Sequence, residues 1–360
     1  MTIFIIYIIL LLIMKEIIGK DKKKYCICAS LGLFFISACR AETVGVDMDN
    51  YISTYLSLKY IPYEKILFGF EKDQIFYCFS KLIADISNSN TYIYLSIIAA
   101  IFALSTGYFI YKNSANPSIS FFLLLPLEIF YFSMTGLRQA VAISFIFIGY
   151  SELFKGKFIK FIGIVLLASL FHRSALVCLL ILVPYILAKE KRIRLYKILI
   201  VVAIGLLARN QIIDFGMKVF GTEGYEINAG GGMTTLIMYS FIFILVIFLD
   251  YGELSIRNNP KSYYVEIYCL LFTVITQSYV PYLTEFFRIR IYFLLPTVVL
   301  LPYVMENLKL KTSRNVLKVG LCSAFFLMFI FFTGKSSGIY PYSFFWGVGK
   351  YEYKAKIEFN

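Results

Sequence analysis

Long apolar runs alternate with short polar stretches along the whole chain. A membrane-spanning helix needs about 20 mostly apolar residues. By that measure the pattern predicts about a dozen spans, at roughly 2–18, 25–40, 92–111, 118–135, 138–154, 159–172, 174–188, 196–209, 234–250, 263–280, 290–305 and 316–333. Residues 66–87 also repeat apolar positions at helical spacing but carry several charges. This stretch is expected to lie on the outer membrane surface as an interfacial helix. Pro126, Pro184, Pro296 and Pro302 fall inside spans, where membrane helices tolerate kinks. No repeat or soluble domain interrupts the pattern. The expected fold is therefore an all-α polytopic integral membrane protein of about 12 transmembrane helices (roughly 11–13), with residues 1–360 forming a single integral membrane domain.

The polar stretches come in two kinds. Residues 15–24, 155–160, 189–197, 257–261 and 309–318 are short and basic, whereas 41–91, 210–233, 281–289 and 334–360 are longer and mixed. The positive-inside rule makes the first set cytoplasmic and puts both termini on the extracytoplasmic side. The first apolar run is not expected to be a cleaved signal peptide, because its Lys cluster follows the run and no basic residues precede it. Ile36-Ser37-Ala38-Cys39 resembles a lipoprotein cleavage box but sits behind a complete preceding span.

Composition sharpens this picture. Apolar residues make up 59% of the chain and charged residues 16%, against roughly 45–50% and 25% in soluble domains. That excludes an ordinary cytosolic enzyme, a disordered tail and a disulfide scaffold. A net charge of +13 would suggest nucleic acid in a soluble protein. Here the Lys residues fall mostly in short loops between apolar runs, so they report orientation and no nucleic-acid partner is expected. The seven Cys lack zinc-ligand spacing and read as small buried hydrophobes. Cys39 and Cys78 could both face outward and pair.

Arginine does not follow the lysine rule. Of ten Arg, only Arg192, Arg194, Arg257 and Arg314 map to the basic inner side. Arg40, Arg138, Arg173, Arg209, Arg288 and Arg290 map to the outer half. An Arg near the membrane is costly unless it snorkels or finds a partner, and its planar fork suits phosphate and carboxylate. Either each Arg pairs with a loop acid such as Glu285 or Asp214, or the group binds an anionic ligand; taken together, the group points to a ligand.

Four outer segments concentrate the chemistry. Arg40 through Tyr55 packs Arg40, Asp47, Asp49, Tyr51 and Tyr55 into one loop. Asp47-Met48-Asp49 has the DxD form that can hold a divalent metal on phosphate; N-capping of a following helix is the simpler reading, and no metal or other cofactor is expected. Thr135-Gly136-Leu137-Arg138-Gln139-Ala140 puts Arg138 in the first turn of a helix, where a positive charge opposes the dipole but helps to seat phosphate. Phe171-His172-Arg173-Ser174-Ala175 carries the only His in the chain. A neutral imidazole there could act as general base on a sugar hydroxyl, or serve as a hydrogen-bonded structural residue. Glu285 through Tyr292 carries Arg288 and Arg290, which point in different directions on a helix, so one of them would face an internal cavity. Gly230-Gly231-Gly232 after Tyr225 suits a mobile loop, and Tyr340-Pro341-Tyr342 leads to an aromatic stretch ending at Trp346.

Gly45-Val46-Asp47…Tyr51…Tyr55, Leu137-Arg138-Gln139-Ala140, His172-Arg173-Ser174-Ala175 and Arg288…Tyr292-Phe293 together resemble the EpsG family of Wzy-type polysaccharide polymerases. Tyr340-Pro341-Tyr342 also fits. The resemblance covers most of the chain in order and spacing. It implies an enzyme at the outer face of the bacterial inner (cytoplasmic) membrane that joins oligosaccharide units carried on undecaprenyl pyrophosphate. The growing chain moves from its lipid pyrophosphate to the non-reducing end of a new lipid-linked unit, and undecaprenyl pyrophosphate is released. On this reading Arg138, with Arg288 or Arg290, meets the pyrophosphate, and His172 or Asp47 is the base. Arg40, Arg173, Tyr51 and Gln139 complete the substrate-binding set. A separate protein that regulates chain length is implied as a partner. A lipid-oligosaccharide flippase or an O-antigen ligase is the alternative. A flippase usually shows internal repeats and charges near mid-membrane, whereas these charges sit at the outer ends of the spans.

Overall fold

A computed structural model describes residues 1–70, 72–187, 195–220, 232–252, 260–308, 311–333 and 338–347. The described residues form helices joined by turns, without a β-strand; an isolated antiparallel bridge joins Arg40 to Phe344. In chain order the helices are α1 (Thr2–Ile18), α2 (Lys22–Ala38), α3 (Met48–Leu58), α4 (Tyr63–Gly69), α5 (Gln74–Ser87), α6 (Thr91–Asn113), α7 (Pro117–Leu123), α8 (Ile129–Thr135), α9 (Leu137–Phe154) and α10 (Phe158–Phe171). A 3₁₀ helix (Arg173–Ile181) runs into α11 (Leu182–Leu187). There follow α12 (Leu195–Leu207), α13 (Arg209–Phe220), α14 (Met233–Gly252), α15 (Pro260–Tyr279), α16 (Phe286–Leu294), α17 (Thr297–Glu306) and α18 (Lys311–Met328), which ends in a π-helical turn.

Four segments among the described residues are long and apolar enough to cross a membrane: Thr91–Asn113, Leu137–Phe154, Phe286–Glu306 and Arg314–Phe331. Phe158–Phe171, Arg173–Ile186 and Met233–Leu249 are shorter apolar helices. These features are those of a membrane-embedded chain. Helix α1 has 17 residues, about 26 Å of rise against a hydrocarbon core of about 30 Å.

Several expected single helices are broken. The run 118–135 divides into α7 and α8 around Leu124–Glu128, where Pro126 has no N–H to continue the ladder and Glu128 adopts a left-handed φ of 63°. The 66–87 stretch is also two helices, α4 and α5, with Asp73 at φ 56° between them. This unit has a core of its own. Met48, Ile52, Tyr55, Phe76 and Ala84 pack against Tyr94, Leu95, Leu137 and Val141. The region expected as one surface-lying helix is thus a folded cap over the ends of α6 and α9.

The main core lies among α1, α2, α6, α9 and α15 to α17. Reciprocal phenol bonds, Tyr7 to the Ala29 carbonyl and Tyr25 to the Leu11 carbonyl, join α1 to α2 at 3.0 and 3.1 Å. Tyr150 of α9 donates to the Tyr292 carbonyl of α16 at 3.2 Å. In apolar surroundings such bonds lack water as a competitor. The segment Gly338–Gly347 straps the 39–45 loop. Ala41 N–H donates to the Ser343 carbonyl (2.9 Å), and Gly45 N–H donates to the Gly338 carbonyl (3.2 Å). Gly45 has φ 124°, and a Cβ there would lie 2.8 Å from the Met134 carbonyl oxygen. Only glycine lets this loop lie against the end of α8, which brings Asp47 beside α16. All seven thiols are free, Cys39 and Cys78 included.

Candidate functional site

A cavity of about 460 Å³ opens between the cap and the helix bundle. It is lined from seven helices or their ends, α14 among them through Thr235. Asp47 and Tyr51 come from the start of α3, Glu128 from the break before α8, Arg138 and Gln139 from α9, His172 from the turn after α10, Gln277 from α15, and Arg288 and Arg290 from α16. Seven of the nine residues expected to act as base or to bind substrate therefore meet in one hollow: Asp47, Tyr51, Arg138, Gln139, His172, Arg288 and Arg290.

One end is organised by Asp73. Its Oδ2 accepts from Arg138 Nη1 at 3.0 Å and lies 3.1 Å from His172 Nδ1. Its Oδ1 accepts from the backbone N–H of Arg173 at 3.4 Å. The Asp73 side chain is 4% exposed. Burial opposes its ionisation, but the hydrogen bond from His172 and the charges of His172 and Arg138 outweigh it and hold the carboxyl below its usual pKa. An ionised carboxylate only accepts, so the His172 Nδ1–H must donate to it. In the neutral ring Nε2 is then the acceptor. Arg138 also donates from Nε to the Tyr51 hydroxyl at 3.4 Å, and its guanidinium sits 5.8 and 5.7 Å from the Tyr51 and Tyr77 ring centres.

The second centre is Arg290, 1% exposed. Its Nη1 donates to Gln277 Oε1 at 2.7 Å and its Nη2 to Glu128 Oε2 at 3.1 Å. The guanidinium packs 4.6 Å from the Phe287 ring centre and 5.2 Å from that of Tyr239. Gln277 Nε2 donates in turn to the Gly232 carbonyl at 2.9 Å. Gly232 has φ 96°, and a Cβ there would lie 2.7 Å from that same Nε2. Gln139 Nε2 donates to the Arg288 carbonyl at 2.6 Å.

Arg288 itself is held loosely. Its Nη2 lies 3.9 Å from Asp47 Oδ2, with 44% of the Arg side chain and 39% of the Asp side chain exposed. Asp47 precedes α3 without a side-chain capping bond, and Asp49 falls in the first turn. The capping expected of these acids is therefore not made; Asp47 turns to Arg288 instead. Among the described residues no three His, Cys, Asp or Glu side chains converge as metal ligands would.

Arg40 and Arg173, expected with the binding set, do not line the cavity. Arg40 is 1% exposed and donates to Ser37 Oγ at 3.4 Å and Met48 Sδ at 3.6 Å. Arg173 contributes its backbone N–H to Asp73. Arg209 is also outside the cavity and donates to the Tyr282 hydroxyl at 3.1 Å. Tyr225, Gly230, Gly231, Arg192, Arg194 and Arg257 lie outside the described residues.

Sequence reasoning missed Asp73, Glu128 and Gln277, the partners that set the geometry. Glu128 left a signal: a carboxylate two residues after Pro126 inside an apolar run is costly and needs a reason. Asp73 left a fainter one, as an Asp immediately before an amphipathic helix.

The EpsG family model matches residues 23–344 of the chain. No curated protein and no solved structure matches it.

Proposed function

The chain belongs to the EpsG family, and on that premise we propose that it is a polysaccharide repeat-unit polymerase. It joins oligosaccharide units carried on undecaprenyl pyrophosphate at the outer face of the bacterial inner membrane. The observation that carries this reading is one cavity shared by Arg138, Arg288, Arg290 and His172. Each arginine also has an acid partner, Asp73, Asp47 or Glu128, so it is their placement around one hollow with His172 that supports the reading.

The chemistry divides among these groups. His172, oriented through Nδ1 by Asp73, takes the proton of the acceptor hydroxyl at Nε2. The acceptor oxygen bonds to the anomeric carbon of the donor sugar. The bond from that carbon to the pyrophosphate oxygen breaks, and undecaprenyl pyrophosphate leaves with the electron pair. Arg138 and the loosely held Arg288 meet the charge that develops on it. A buried carboxylate supports His172 as base over Asp47, whose nearest partner is Arg288. The sugar–pyrophosphate bond supplies the driving force, so no nucleotide is needed.

The membrane arrangement follows. The cap of α3 to α5 sits at the outer surface, about 12 segments cross or enter the bilayer, and both termini lie outside. A separate chain-length regulator is the expected protein partner. Deleting the gene and resolving the cell's surface polysaccharide on a gel tests the reading. A single repeat unit in place of the ladder is expected. Complete loss of surface units would point to a flippase or a ligase.

A further inference from the structure

The strap that holds the 39–45 loop ends in an aromatic face. Phe344, Phe345 and Trp346 are consecutive, and the last two sit in a short 3₁₀ turn, Phe345–Gly347. The Phe344 and Trp346 rings stack at 4.5 Å and 8°, and the Phe345 ring stands edge-on to the indole at 4.8 Å. Phe345 also packs 4.8 Å from the ring of Tyr92, in the first turn of α6. Despite these contacts Trp346 is 64% exposed. A contiguous apolar surface of this kind marks a site where something else covers the molecule.

The neighbouring helices identify the cover. Ile27, Leu31 and Phe35 are exposed on α2 and fall four residues apart, so they form one stripe along that helix. In a membrane-embedded chain such an aliphatic stripe faces lipid. The next position in the stripe is Cys39, whose carbonyl accepts from the Phe345 N–H at 3.1 Å. The strap's aromatics therefore continue the stripe where α2 stops. They do so beside the first turn of α6, where Tyr92 and Ile93 are also exposed. Helix α6 is long and apolar enough to cross a membrane, so its first turn lies where the chain enters the bilayer. Trp and Tyr suit that level, with an apolar ring among the acyl chains and an N–H or O–H that reaches the headgroups. We propose that Tyr92, Phe345 and Trp346 form a lipid-contacting anchor that seats the strap in the headgroup layer. The anchor reaches toward the cavity through the backbone. The strap's carbonyls hold the N–H groups of Ala41 and Gly45, and Gly45 lies two residues before Asp47, which lines the cavity. Lipid that holds the strap thereby holds the loop that leads to Asp47. This anchoring is independent of the reaction the cavity performs.

Trp346 is the only tryptophan in the chain, so tryptophan fluorescence of the wild-type protein in lipid nanodiscs reports on this site alone. Its emission is expected to be blue-shifted from that of free tryptophan and shielded from aqueous iodide. Lipids spin-labelled near the headgroup should quench it more than lipids labelled at the chain ends. Iodide quenching equal to that of free tryptophan, with no quenching by either lipid, would overturn the anchor, as would stronger quenching from the chain ends. Iodide quenching that falls only when the lipid-linked repeat unit is added would also overturn it and give this surface to sugar. Amide hydrogen exchange reads the second half of the claim. The Ala41 and Gly45 N–H groups should exchange faster in Trp346→Ser than in wild type, with Trp346→Tyr close to wild type. Unchanged exchange in Trp346→Ser would overturn the link from lipid to loop.

Discussion

Asp73 and Arg138 are 65 positions apart in the chain, and their side chains meet at 3.0 Å, on the same carboxylate oxygen that His172 reaches at 3.1 Å. One buried acceptor thus fixes a cation and an imidazole together. Asp73→Asn removes the charge but keeps the shape. Its amide can donate to Nδ1, which turns the imidazole to the wrong tautomer. Polymerisation by membranes containing this variant is expected to fall by about 10²–10⁴-fold, with the protein still inserted. Rates near wild type would remove Asp73 as the positioning group.

The same carboxylate ties stability to pH. Its pKa in the folded chain lies below the usual value, so the folded state holds it ionised more readily than the unfolded state. That stabilisation is complete above the ordinary aspartate value of about 3.9 and is lost as pH falls through the lower folded value. The melting temperature of purified wild type should therefore exceed that of Asp73→Asn above about pH 5. The margin should shrink below about pH 4. A margin that does not change with acid would show that the charge of Asp73 contributes nothing to stability.

Arg288 and Arg290 are two residues apart and should fail differently. Arg290→Ala leaves Glu128 and Gln277 without their shared donor inside the cavity. Breaking a buried pair in this way costs about 3–5 kcal/mol, so the amount of folded protein in membranes should drop. Arg288→Ala removes a half-exposed side chain whose nearest acid is 3.9 Å away. Its protein level should stay normal while polymerisation falls by about 10²-fold or more, the scale of losing one donor to a developing anion. Immunoblotting alongside the polysaccharide gel distinguishes the two. Normal levels of both proteins would contradict the division drawn between them.

This contrast also shows how far the residues could be read without coordinates. The helical class follows from the apolar runs, and the resemblance rests on short motifs that the fold gathers around one cavity. Arg288 and Arg290 were equivalent as letters; only packing on Phe287 and Tyr239 and the reach to Glu128 separate them. Asp73 was hidden for a related reason. Its partners arrive from α9 and the turn after α10, and a charged stretch read by periodicity alone gives a helix, not the left-handed break at Asp73. The division of 118–135 at Pro126 was legible in principle, since proline ends a helical ladder.

Arg40 was the least distinguishable of the arginines in sequence, and burial gives it a different expected phenotype. It is 1% exposed, its Nε is unpaired, and no acid pairs with it among the described residues. A buried charge without a counterion is a liability that an apolar chain of similar length removes. The bridge from Arg40 to Phe344 runs through the backbone and survives substitution. Arg40→Met should therefore keep a normal polysaccharide ladder and a melting temperature equal to or above wild type. A stable Arg40→Met protein with no ladder would return this residue to the substrate-binding set and require a path from it into the cavity.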